Sequence, residues 1–485
     1  MSVRLMNRAG LFWGVVVIIL IAGVGGAFRL LESEPENNQG QDWPRFLGPY
    51  DTGVSDETGV LKTWPKGGPK IFWSEKIGTG YSAPSVRDDR LVIHHRVDDE
   101  ELIQCRDALT GGVVWTHKYP TSYEDPYGYN NGPRCTPLLT KDRCYTYGAE
   151  GKLTCVDLKT GKPIWQRDVK KDFDLPDWFF GIGCTPILEG ELLIALVGGQ
   201  PNSGVVAFDA GTGKTVWESV GKETWEGVTT DQGKKYAWTG KEQIVSYSSP
   251  IAATIHGQRH LLCLLRHGLV SLDPKDGSER FKYWFRSRAY ESVNAARPLV
   301  LEDKIFLSAA YKLGSVLLEV DPNGSSVKEV WRDDENLLCH WSTPIAVDGY
   351  VYGFSGRHER EGELRCIDLK NGNVEWKSTG FDGDLSDLDQ DPATGLIKDK
   401  TGKVVPWPFF GRGSKIKIGD RFLILGERGT LALAKIDSKE YEELGRTSYK
   451  QINFPAWTAP VLSRGLVYLR SEDALICLDV RPNGK

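Results

Sequence analysis

One short pattern recurs along most of this 485-residue chain and narrows what it can fold into. A hydrophobic run ends in Asp, a Gly follows, and an aromatic residue closes the motif. The copies are Asp107…Gly111…Trp115, Asp157…Gly161…Trp165, Asp209…Gly213…Trp217, Asp273…Gly277…Phe281, Asp321…Gly324…Trp331 and Asp368…Gly372…Trp376. Five of these space Asp and the aromatic by eight residues; Trp331 lies two later. Asp437 and Asp479 open two more units. The pattern has a mechanical meaning. The run before Asp is a strand, the Asp carboxylate accepts hydrogen bonds from the turn backbone, and Gly takes the position needing positive φ. A second strand then runs back and carries the aromatic. Self-similarity at a period of about 50 residues marks a repeat architecture.

Each unit also has a recognisable start, in seven cases a proline: Pro84, Pro137, Pro186, Pro250, Pro298, Pro344 and Pro460, with a degenerate start near Gly413-Ser414. Two β-rich runs follow each start, such as Arg90–His94 and Glu191–Ala195. Four strands per unit and eight units predict an all-β, eight-bladed β-propeller with four-stranded blades. The last unit has no room for its outer strand, whereas a spare strand at 68–75 precedes the first and reads like the 161–166 tail of a blade. The expectation is that this N-terminal strand completes the eighth blade and closes the ring, which removes exposed sheet edges.

Ahead of the repeats stands an apolar run, 9–28, flanked by Arg4, Arg8 and Arg29. Twenty helical residues span about 30 Å, the thickness of a bilayer core. The predicted organisation is a cytoplasmic basic tail (1–8), a transmembrane anchor or uncleaved signal (9–28), a polar linker (29–41) and a propeller (42–485). The rest of the chain then lies outside the cytoplasm, in the periplasm or extracellular space, because the basic flank stays inside. A cleaved signal is the alternative, with Gly25-Gly26-Ala27 as its site. The net charge of −5 supplies no basic field, which argues against nucleic acid as a partner.

The Asp-x-x-Thr-Gly-x-x-x-Trp motif at this period resembles the repeats of the PQQ-like (quinoprotein-type) β-propeller family. Its eight-bladed members include the quinoprotein alcohol dehydrogenases and BamB, a non-enzymatic scaffold of outer-membrane β-barrel assembly. The lead-in Asp42-Trp43-Pro44-Arg45-Phe46-Leu47-Gly48 with Trp64 is similar to that of many bacterial secreted PQQ-like proteins. The resemblance implies that the repeat aromatics dock between neighbouring blades: Trp73, Trp115, Trp165, Trp217, Phe281, Trp331 and Trp376. It also implies two kinds of function. A dehydrogenase would use PQQ and calcium, with Glu291 and Asn294 of the right types as ligands. However, that branch stacks its quinone on a ring of adjacent cysteines, and no two of the nine cysteines here are adjacent.

Other motifs carry less. Ala210–Thr215 imitates a phosphate loop, but Phe208 stands where the first glycine belongs, and the stretch is a blade turn. Cys105, Cys155, Cys366 and Cys477 each precede the repeat Asp by two residues and read as strand-core hydrophobes. Cys135 and Cys184 precede Thr-Pro on adjacent blades, where a disulfide is conceivable if their Cα atoms lie within about 7 Å. Asp382, Asp384, Asp387 and Asp389 alternate as a weak candidate calcium cluster, since their spacing fits no calcium loop and a solvated loop is the preferred reading. The histidines show no metal-ligand spacing.

The connections ahead of each start should gather at the channel mouth, and they are long and aromatic. They nominate Arg134, Glu291, Asn294, Arg297, His340, Trp341, Arg412 and Trp457 as ligand-binding residues. The expectation is a membrane-tethered, non-catalytic binding or scaffolding propeller with a protein or small-molecule ligand and no cofactor. A PQQ- and calcium-dependent alcohol or sugar dehydrogenase is the alternative, and a sugar- or polymer-binding surface built on exposed tryptophans is a third reading.

Overall fold

The computed structural model describes residues 40–482, apart from 176–178, 245, 382, 384, 392–396 and 406. The apolar run 9–28, and Asp382 and Asp384 of the acidic stretch, therefore lie outside the described residues. No helix among the described residues is long and apolar enough to cross a membrane.

Among the described residues, eight four- or five-stranded sheets follow one another along the chain, with one small three-stranded ribbon between the sixth and seventh. Sheet 1 is typical: strands Ser85–Arg87, Arg90–Val97, Glu100–Asp107 and Val113–Pro120 form an antiparallel meander. Sheets 2 to 6 repeat it over 138–168, 187–219, 251–284, 299–333 and 345–378. Sheet 7 spans 414–448 and gains a fifth strand, Val54–Ser55, which pairs in parallel with its first. Sheet 8 takes three strands from 461–479 and its outer strand, Lys70–Lys76, from the other end of the chain. Each first strand begins directly after its start residue, including the degenerate one at Ser414. The middle strands are buried on both faces, as in Leu192–Gly199, whereas the outer strands alternate and face solvent.

The repeat motif builds both the turn and the seam between sheets. In sheet 1, Asp107 Oδ1 accepts from the Leu109 and Thr110 amides and the Thr110 hydroxyl, while Gly111 N–H donates to the Asp107 carbonyl. A β-bulge then falls immediately before the aromatic position in all eight sheets, at Phe72, Val114, Ile164, Val216, Arg280, Val330, Glu375 and Leu444. A bulge on an outer strand twists that edge away from pairing with other chains. The two additional residues before Trp331 sit in the turn, so it still faces Leu317 as Trp115 faces Cys105.

Each indole then reaches the next sheet. Nε1 of Trp73, Trp115, Trp165, Trp217 and Trp331 donates to the carbonyl of Ala108, Leu158, Ala210, Pro274 and Leu369, always the residue after the repeat Asp, at 2.7–3.1 Å. Trp376 donates to Asp437 itself. The ring lies flat on the next turn's glycine: a Cβ on Gly161 would stand 2.4 Å from the Trp115 ring. Glycine is thus required twice, for its φ of +70° and for its missing side chain. Phe281 has no N–H, and at its seam His256 and Gln258 reach the Val320 and Asn323 carbonyls instead.

The seam between sheets 7 and 8 departs from the rule. Gly445 faces Leu433 where the other sheets carry their aromatic. Trp64 of the lead-in packs on that glycine, and Leu61 N–H donates 2.6 Å to the carbonyl of Val480, again the residue after the repeat Asp. With Tyr449 Oη donating to Pro69 O and Trp73 reaching Ala108, the contacts from sheet to sheet return to sheet 1. In the sequence this seam shows only as a missing aromatic at Gly445, eight residues after Asp437.

Candidate functional site

A cavity of about 340 Å³ lies where the eight first strands converge. Its walls come mostly from the residues ahead of those strands, so all eight sheets contribute, joined by Tyr311, Arg357 and His358 from turns between second and third strands. One end is covered. Trp43 exchanges backbone hydrogen bonds with Val86, Leu139 N–H donates to Pro44, and Ser463 Oγ donates to Gln41 O. Val54–Ser55 then joins sheet 7. These contacts all fall at the far ends of first strands, so the lead-in lies across that end, and Trp43, Arg45, Phe46 and Leu47 form a floor. A Cβ on Gly48 (φ +80°) would sit 2.9 Å from the Trp43 ring, which explains the glycine.

The opposite end is a wall of rings in mutual contact. The series Tyr311–His340–Trp341–Trp457–Tyr129–Phe180 runs with centroid separations of 5.0–6.1 Å, tilted or edge-on, as aromatic quadrupoles prefer. Arg412 stacks over Trp341 (4.4 Å) and Trp457 (5.3 Å). The fully buried Glu427 fixes this arrangement: its carboxylate accepts from the Arg412 guanidinium (2.9 Å), the Arg412 amide (2.8 Å) and Trp457 Nε1 (2.8 Å). Arg134 is held likewise by buried Asp125 at 2.5 Å and by the Gly132 and Asn130 carbonyls, with its plane over Tyr123. His340 Nε2 lies 3.1 Å from Tyr311 Oη. Burial, then the nearby Arg412 and Arg357, push the His340 pKa down to about 3, so the ring is neutral at physiological pH. Burial likewise raises the Tyr81 and Tyr311 phenols.

Six of the eight nominated mouth residues line this cavity: Arg134, Glu291, His340, Trp341, Arg412 and Trp457. Asn294 and Arg297 do not, because their polar atoms are consumed elsewhere. Asn294 Nδ2 donates to Leu265 O and Phe285 O. Arg297 is buried behind the wall, bonded to Asp51 and to Pro250 O. The floor, built by Trp43 to Leu47, was missed because a resembling lead-in carries no mark of where it folds back. Glu427 was missed because one buried glutamate in a strand-to-strand turn has no sequence signal.

All nine cysteines are free and buried. Cys135 and Cys184 form no disulfide; Cys135 Sγ instead donates to Cys184 O at 3.2 Å. Asp387 pairs with Lys400, and Asp389 lies in a small ribbon of Leu388–Gln390, Ile397–Asp399 and Val404–Val405. No group of three potential metal ligands occurs among the described residues. Calcium wants six to eight oxygens. At the mouth Asp125 and Glu427 are committed to arginines, Asn294 is turned away, and Glu291 is left with only Tyr127 Oη at 3.4 Å. This donor set does not fit a calcium-held quinone.

A family model described as outer membrane protein assembly factor BamB matches residues 54–171 and 98–378. The chain belongs to this PQQ-like propeller family. Solved structures share its fold. BamB from Moraxella catarrhalis superposes with a TM-score of 0.52 at 13% identity, covering 85% of this chain and 98% of that one. The quinohemoprotein alcohol dehydrogenase of Comamonas testosteroni gives 0.57 at 14%, covering 91% and 80%. Alcohol dehydrogenase ADHIIG of Pseudomonas putida HK5 gives 0.53 at 13%, covering 92% and 81%. No curated protein sequence matches. At these identities the likeness concerns the fold, and the structures that share it include both BamB and alcohol dehydrogenases.

Proposed function

We propose that this chain is an eight-bladed, ring-closed propeller acting as a non-catalytic binding or scaffolding module. Its apolar run 9–28 tethers it to a membrane, with the propeller in the periplasm or extracellular space. The observation that carries this reading is the commitment of the mouth's charged groups. Asp125 and Glu427 are buried and each bonded to an arginine, which leaves Glu291 as the one lining carboxylate without an arginine partner among the described residues. A proton-transfer site needs a free acid or base within reach of substrate. Apart from Glu291, the carboxylates are spent on holding Arg412, Arg134 and Trp457 rigid, as suits recognition.

The competing reading, a PQQ- and calcium-dependent alcohol or sugar dehydrogenase, draws on the dehydrogenases that share the fold. The purified full chain with PQQ and Ca²⁺, offered alcohols and aldoses and a redox dye, separates the two. Dye reduction no faster than the quinone-free blank supports the binding module. Reduction that a chelator abolishes overturns it. Alkaline carbonate extraction tests the tether: the protein should stay with the membrane pellet, and release into the supernatant contradicts it.

A further inference from the structure

The charge and shape of the mouth also specify what it binds, given that it is a binding site at all. Four arginines line the cavity, Arg45, Arg134, Arg357 and Arg412; the first, second and fourth are paired with the carboxylates of Asp51, Asp125 and Glu427, and Glu291 is a further lining carboxylate. Among the described residues, Arg357 and Glu291 are the lining charges left without an ion-pair partner, one of each sign. Arg134 and Arg412 are neutralised at 2.5 and 2.9 Å by buried partners, and Arg412 offers the cavity a flat face stacked on two indoles. An anion finds one uncommitted guanidinium, Arg357, itself lying over Tyr311 at 4.6 Å. A cation drawn to the rings meets four guanidinium groups. Neither sign of ligand is favoured.

What remains are ring faces with polar tips between them. The Tyr129 hydroxyl and the Arg357 guanidinium make no hydrogen bond to the described residues, and Glu291 has only its long contact with Tyr127. The cavity is blind, with Trp43 to Leu47 as its floor, and its 340 Å³ lies at the small end of ligand pockets, roughly 300–1,000 Å³. A threaded polymer does not fit a closed floor. We infer that the mouth takes a short neutral sugar of one to three rings, whose C–H faces pack on Trp341, Trp457 and Tyr129 while its hydroxyls reach Arg357 and Glu291.

Isothermal titration of the full chain in lauryldimethylamine oxide, a sugar-free detergent, tests this. The probes are maltotriose, cellotriose and chitotriose, with benzene-1,3,5-tricarboxylate as a planar anion. Binding of at least one trisaccharide is expected, weakened roughly tenfold or more by Tyr129→Ala and by Trp341→Ala. Binding of the tricarboxylate alone overturns the inference, as does binding of no probe. Saccharide binding that both substitutions leave intact places the sugar elsewhere and also overturns it. The dye assay fails independently: oxidation of a bound sugar with PQQ and Ca²⁺ present would leave this inference standing and remove the non-catalytic reading.

Discussion

The seams between sheets and the mouth of the cavity are built from the same eight repeats under opposite rules. At the seams one device recurs: an indole N–H reaches the carbonyl after a repeat Asp and its ring lies on a repeat glycine. At the mouth almost nothing recurs. Sheet 2 contributes Arg134, sheet 6 His340 and Trp341, sheet 7 Arg412 and sheet 8 Trp457. The difference follows from geometry. Every seam must join identical sheets at one angle, so each position admits few solutions. The eight lead-in loops meet only once, at the centre, and each is free to differ. Stability should therefore reside at the seams and recognition at the mouth.

Acid should produce the largest effect, and it strikes both regions. Burial, then neighbouring Arg470, pushes the His95 pKa down to about 3, as burial and arginines do for His340 at the mouth. His95 Nδ1 accepts from Gly78 N–H beside the seam of sheets 8 and 1. The unfolded chain takes up these protons near pH 6.5, so the folded state loses ground as pH falls below that value and regains it as pH rises. The expected slope is about 1.4 kcal/mol per unit for each histidine, until each is protonated in place. Urea midpoints between pH 7 and 4 should fall, and less steeply in His95→Gln. A flat profile would contradict the buried neutral rings.

Next comes the seam indole. Trp217→Ala should cost about 3–5 kcal/mol in urea unfolding, since the ring is buried and bonded to Pro274 O. A loss under about 1 kcal/mol would break the contrast. Gly213→Ala should cost on the order of 2 kcal/mol, because its φ is +71° and a Cβ would meet the Trp165 ring at 2.7 Å. Gly257→Ala sharpens this reading. Gly257 shares the strained φ (+76°) but has nothing within 4 Å, so about 1 kcal/mol is expected and the difference measures the ring contact. Tyr129→Ala should change stability least, within about 0.5 kcal/mol, since that side chain is 56% exposed.

The same contrast decides what the sequence made legible. Asp107, Gly111 and Trp115 announce their roles because one geometry forces the same residues to recur, and the spare strand at 70–76 could be assigned because sheet 8 lacked one. Trp64 could not, since the seam it completes shows in sequence only as an absent aromatic at Gly445. At the mouth, residue type misled. Arg297 and Arg134 look alike as loop arginines before a start, but Arg297 is spent on Asp51 and Pro250 whereas Arg134 lines the cavity. Distinguishing them requires knowing where the lead-in lies, which is long-range information.

The most direct test measures two quantities on one pair of variants, Trp217→Ala and Tyr129→Ala. Unfolding midpoint and trisaccharide affinity should respond in opposite patterns. Trp217→Ala should lower the midpoint and bind as the unaltered chain does, while Tyr129→Ala should keep the midpoint and lose roughly tenfold or more in affinity. If the still-folded Trp217→Ala protein loses binding, or Tyr129→Ala lowers the midpoint as far as Trp217→Ala, the division of labour between seam and mouth is wrong.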